Sequence, residues 1–119
     1  MVALMSKSKG LILLVPLLAS ATAAVAGASN FTLVNGTDTG LQNLSIRRAG
    51  TQDWKPLGTA PAAGARGPIT FTDKDCAFDI RAEVKGKGQV TWTDVNLCDV
   101  KSVKLNHDVS AGAWVDYDQ

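Results

Sequence analysis

His107 is the only histidine in the 119-residue chain, and with Asp108 and Ser110 beside it the residue types of a base, an orienting acid and a nucleophile stand together. Such a set works only when the three side chains converge in space. Neighbours along one extended segment point to alternate faces, and neither a G-x-S-x-G elbow nor an H-E-x-x-H pair occurs. His107 is therefore expected in a solvent-exposed turn, and no catalytic residue is assigned. The carboxylates Asp38, Asp73, Asp75, Asp116 and Asp118 offer oxygens that a hard cation such as Ca²⁺ would take. The EF-hand spacing is absent, and Asp is common in turns because it hydrogen-bonds its own backbone. The expectation is no metal and no cofactor.

Asp79 and Arg81 stand two residues apart in an alternating stretch, so their side chains share its outward face. One reading is a surface ion pair, worth about 0–1 kcal/mol. The other is a recognition spot at which Arg81 makes a two-pronged contact to a carboxylate. Trp54, Trp92 and Trp114 could form an aromatic binding patch. Trp92 shares the face of Val90 and is expected in the core, Trp54 is expected to plug one end of the core with Leu57, and Trp114 is placed outside. Asp79, Arg81 and Trp114 make up the candidate recognition surface.

The element that carries Asp79 and Arg81 is also the organising one. From Cys76 to Cys98 the chain reads as two strands and a tight turn. Phe78, Ile80, Ala82 and Val84 alternate with Asp79, Arg81, Glu83 and Lys85, a period of two that puts one face on a core and the other in water. Lys85-Gly86-Lys87-Gly88 supplies the positive-φ positions of a hairpin turn. The second arm, Gln89 to Asn96, sets Val90 and Trp92 against Gln89, Thr91 and Thr93.

At the N-terminus Lys7 and Lys9 precede the apolar run 11–18 and then small residues, the order of an export signal. The apolar run is too short to span a bilayer and Pro16 interrupts it, so a helical signal peptide over residues 1–26 is expected, cleaved after Ala26 or Ala28, with the folded domain over 29–119. Removing residues 1–26 from the 119 leaves 93, and losing Lys7 and Lys9 takes the basic residues from 12 to 10 against 11 acidic. A near-neutral chain argues against nucleic acid, whose phosphates need a clustered basic face. Cys76 and Cys98, the two cysteines of an exported chain, are most simply a disulfide; metal-binding or redox thiols would want a nearby His or a C-x-x-C spacing.

Further strands are expected at Asn30–Asn35, Leu41–Ala49, from Gly67 to Thr72 and at Val100–Asn106, with 59–68 a surface loop and the tail from His107 a short edge strand or a loosely held end. Pro56 argues against a central strand near Trp54. Six to seven short strands with regular turn signals point to an all-β fold, a small antiparallel β-sandwich with one disulfide.

Phe31-Thr32-Leu33-Val34-Asn35-Gly36-Thr37, then Trp54, Leu57-Gly58, Cys76-Ala77-Phe78-Asp79-Ile80-Arg81 and Asn96-Leu97-Cys98 give the pattern F-x-L-x-N-x-T … W … C-x-F-D-I-R … N-L-C. This resembles a family of small exported bacterial proteins of unassigned function, over about residues 30–105. The resemblance implies a secreted or periplasmic all-β domain with one disulfide, and no reaction. Some short chains of this kind carry the name argininosuccinate lyase, whose large helical active site a 93-residue β domain has no room to build. The expected role is a non-catalytic binding or structural module acting on another exported protein or an envelope component, with an inhibitor or effector of such a protein, or the small hydrolase above, as alternatives.

Overall fold

The computed structural model describes residues 27–118; residues 1–26, and with them the expected signal peptide, lie outside the described residues. Eight strands form: β1 (Phe31–Asn35), β2 (Leu41–Arg48), β3 (Lys55–Pro56), β4 (Arg66–Ile69), β5 (Ala77–Val84), β6 (Gly88–Asn96), β7 (Ser102–Asp108) and β8 (Gly112–Asp118). They make two four-stranded sheets, β4-β1-β7-β8 and β3-β2-β5-β6. The chain is a β-sandwich, as its alternation implied, with the one disulfide expected of its two cysteines. The count exceeds the expected six to seven for two reasons. Lys55–Pro56 forms a two-residue edge strand against Ser45 and Ile46, an edge being where a proline is tolerated. The tail forms a full edge strand, β8, paired antiparallel with β7 from Ser102↔Asp118 to Asp108↔Gly112.

One pairing departs from the antiparallel expectation. β1 runs parallel to β7, with Leu33 beside Val103 and Asn35 beside Leu105. Parallel neighbours need a long crossover, and here the chain makes it through β2 and β3 of the opposite sheet, β4 of its own, and β5 and β6 of the opposite sheet.

The core lies between the sheets. Leu33, Val103 and Leu105 of the first sheet and Ile80, Trp92 and Val95 of the second are buried. Trp92 finds a partner for its one polar atom: Nε1–H donates to the Asn106 carbonyl at 2.7 Å, a buried bond running from β6 in one sheet to β7 in the other. Tyr117 closes the neighbouring edge, its hydroxyl oxygen accepting the Asn96 N–H at 2.9 Å.

The central hairpin forms as the glycines require. Val84 pairs with Gly88, Lys87 N–H donates to Val84 O at 2.8 Å, and Gly86 and Gly88 hold φ of 80° and 76°. At the open end Cys76 and Cys98 are bonded, their Cα atoms 5.1 Å apart. Such a bond is compatible with an oxidising compartment.

Two bulges interrupt the strict alternation. In β2 the register shifts between Gln42 and Ser45, with Asn43 at φ 53°, so Leu41 and Leu44, three apart, both reach the core. In β6 the inward positions change phase after Trp92 to Val95 and Leu97, through Asp94 at φ 54°. Asn and Asp enter this left-handed region at lower cost than other side chains, and a bulge is the device that re-aims a strand.

Candidate functional site

The outward face of β2 and β5 gathers the charged residues. Across these strands Arg47 pairs with Asp79 and Ser45 with Arg81, and on the far side of β5 Thr91 stands opposite Arg81. Arg81, Asp79 and Glu83 share this face, as the alternation implied.

The expected Asp79–Arg81 pair, however, does not form. Asp79 is buried, 4% exposed, and its carboxylate accepts Arg47 Nε–H at 2.8 Å and the Asp94 backbone N–H at 3.0 Å. The bulge in β6 folds that amide over the carboxylate, and Arg47 covers its other oxygen. Asp79 is an internal pin on an outward face and holds no oxygen out to solvent for recognition.

Arg81 turns instead to Trp54. Its guanidinium carbon lies 3.9 Å from the centroid of the indole ring, and that of Arg47 lies 4.5 Å from it. Trp54 thus does not plug the core. It immediately precedes β3, whose Lys55 pairs with Ile46, and this places it beside Arg47 on the outer face. Leu57 takes the core position expected of it and is buried. A guanidinium over an indole gains about 0.5–1 kcal/mol when exposed and more when desolvated. Arg47 is held further by Gln52, whose Oε1 accepts its Nη1–H at 3.3 Å. Among the described residues no carboxylate pairs with Arg81 and no acceptor takes its N–H groups.

Trp114 is 44% exposed, on the edge strand β8 of the other sheet. The three residues expected to make one recognition surface therefore fall into different places: Asp79 beneath Arg47, Arg81 on Trp54, and Trp114 on the opposite layer.

His107 lies in β7 rather than in an exposed turn. It shares the face of Val103 and Leu105 and is half-buried, with Nδ1 shielded from solvent and without a hydrogen-bond partner among the described residues. The Asp108 carboxylate accepts the Ser110 and Ala111 amides, both at 2.9 Å. Those two bonds, the Ala111 amide first, hold its carboxyl below the usual range. The acid is committed to its own turn, and no hydrogen bond links it or Ser110 to the imidazole.

The other carboxylates are dispersed in the same way. Asp73 accepts Arg48 Nη2–H at 3.2 Å and the Asp75 amide at 2.9 Å, and the Asp75 amide above all, with the Arg48 guanidinium, holds its carboxyl low. Asp116 takes the Asn106 amide at 3.1 Å, and Asp38 faces Lys87 at 3.8 Å. Among the described residues no three His, Cys, Asp or Glu side chains converge on a metal-sized site.

A cavity of about 150 Å³ opens where Ile46, Phe71 and Phe78 meet Arg47, Arg48 and Asp73. It is smaller than the roughly 300 Å³ at which pockets begin to enclose a small organic ligand. Two features escaped the sequence reading. The Arg47–Asp79 pair had no local signal, because the partners are 32 residues apart. Asn35, at the end of the expected first strand, and Thr37 beyond it are buried. Asn35 Oδ1 accepts both the Thr37 N–H and its hydroxyl, while Nδ2 donates to Thr39 O and Pro61 O. The F-x-L-x-N-x-T pattern was the signal for this network, which fastens the β1–β2 turn to the loop before β4.

Comparison of the chain with protein-family models, with curated proteins and with solved structures finds no match.

Proposed function

We propose that the chain is a small exported β-sandwich, secreted or periplasmic, that works as a non-catalytic binding module and holds another exported protein or an envelope component on the outer face of the β3-β2-β5-β6 sheet. The resemblance to small exported bacterial proteins supports this reading, as do the signal-like N-terminus and the disulfide. The observation that carries it is the Arg81 guanidinium lying 3.9 Å from the Trp54 ring with no acidic partner among the described residues. Arg and Trp are the residues on which binding energy concentrates at interfaces, and here they are already in register on a rigid sheet.

Export implies removal of the signal, and cleavage after Ala26 fits the fold better than cleavage after Ala28. Ala28 is buried, donates its N–H to Asp73 O at 2.8 Å and bridges to Cys98. The folded unit therefore takes in this residue, one earlier than the expected start at 29.

The test is retention from envelope and culture-medium fractions by immobilised protein, with Trp54→Ala and Trp114→Ala compared at matched stability. A partner retained by the wild type and by Trp114→Ala, and lost with Trp54→Ala, is the expected result. Retention that survives Trp54→Ala overturns the assignment of this face.

A further inference from the structure

We infer that Arg81, laid on Trp54, is a receptor for a single carboxylate, the side chain of a Glu or Asp presented by the partner. This rests on the binding-module reading and adds the chemistry that the module recognises.

Two guanidinium groups, Arg47 and Arg81, converge on one indole ring. One carboxylate, Asp79, neutralises Arg47. The cluster is left with one positive charge, carried by a half-buried Arg81 whose N–H groups have no acceptor among the described residues. Desolvating a guanidinium without an anion is unfavourable, so an incoming carboxylate gains more here than at a fully solvated arginine.

Geometry narrows the ligand. Trp54, its ring centroid 3.9 Å from the guanidinium carbon, covers one side of the planar guanidinium and leaves N–H groups free to donate, and their fork matches the two oxygens of a carboxylate. Stacking also restrains a side chain that would otherwise lose rotamer freedom on binding. Arg81 is flanked on its cross-strand row by Ser45 and Thr91, small hydroxyl residues that leave the approach open. Glu83 stands two residues on along the same face and is exposed, a negative charge that disfavours a doubly charged phosphate. One uncompensated cation beside one exposed acid suits a monoanion.

The probe is a short synthetic peptide with one internal Glu, its Gln counterpart, and inorganic sulfate, titrated into ¹⁵N-labelled protein residues 27–119 with the disulfide intact. The readouts are the Arg81 Nε–H and Trp54 indole N–H signals. The Glu peptide is expected to shift both saturably, about tenfold more tightly than the Gln peptide, with the effect falling as salt rises. Arg81→Gln is expected to abolish the response while the remaining spectrum shows an intact fold, and Arg81→Lys to weaken it by keeping the charge and losing the fork. Equal response to the Gln peptide, tighter binding of sulfate, or an unchanged response in Arg81→Gln would each overturn the inference. If the Glu peptide gives no saturable shift while Trp54-dependent retention of a partner persists, the carboxylate receptor falls and the binding module stands. Loss of both removes the module reading as well.

Discussion

The Asp79 carboxylate accepts the backbone N–H of Asp94 at 3.0 Å, and this one bond joins an outward-facing acid to the bulge that re-phases β6. Asp94 sits at φ 54°, the inward face shifts from Trp92 to Val95, and the amide exposed by the bulge is the one that Asp79 receives. Arg47 takes the other oxygen at 2.8 Å. Asp79→Ala removes the acceptor of both groups and leaves Arg47 without its counter-charge. Breaking one partner of a buried pair costs about 3 kcal/mol, which for a domain of this size lowers Tm by roughly 12–24 °C. Calorimetry decides it, and a shift under about 4 °C would mean that the carboxylate holds neither group firmly.

The disulfide makes a second prediction. Cys76 and Cys98 are separated by 22 positions, and closing a loop of that length in the unfolded chain contributes about 3 kcal/mol. Cys76→Ser should lower Tm by a similar roughly 12–24 °C, and reductant should do the same to the wild type. An unchanged melt in either case contradicts the assigned role of the bond.

Trp92→Phe tests the link between the sheets. Phenylalanine fills most of the indole site and leaves the buried Asn106 carbonyl without the donor at 2.7 Å. Losing a buried hydrogen bond costs about 0.5–1.5 kcal/mol, beyond the lost ring volume. Hydrogen exchange should quicken in β7 more than in β2. Uniform protection in both strands would place the stabilisation elsewhere.

Acid should unfold the domain through its low-lying carboxyls. The Asp75 amide first and then Arg48 depress Asp73, and the amides of Ala111 and Ser110 depress Asp108. A depressed carboxyl in the fold means that the unfolded chain binds protons first as pH falls. Their contribution is complete above the unfolded value of about 4 and is lost as pH drops through the lower folded value. Asp73→Asn with Asp108→Asn should therefore lower Tm at pH 7 and flatten the fall below about pH 4. A double variant whose Tm falls as steeply as that of the wild type over that range would contradict the assignment.

Processing gives the last prediction. Under the proposed export, cleavage is expected just before Gly27, because Ala28 hydrogen-bonds Asp73 and bridges to Cys98. Intact mass of material recovered from outside the cytoplasm checks it, and an N-terminus at Ser29 would show that the fold forgoes those contacts.

The hairpin 76–98, its glycine turn, the inward set Phe78, Ile80, Ala82 and Val84, and the pairing of the two cysteines were all legible in the sequence. Each rests on a period of two, on glycines free to take a positive φ, or on a cysteine count, and these are read from the positions themselves. What the tertiary structure decided involves partners distant along the chain. The parallel pairing of β1 with β7 was one such decision, and it gave Gly36 its role: a Cβ there would stand 2.9 Å from the Leu105 carbonyl oxygen, a constraint that turn chemistry alone did not suggest. The choice of Arg47 over Arg81 as the partner of Asp79 was another, set by the cross-strand register of β2 and β5. So was the placing of Trp54 on the outer face, where it meets Arg81. A local pattern says which face a side chain takes. Which residue it meets on that face depends on strand order and on bulges, and these follow only when the two sheets close on one core.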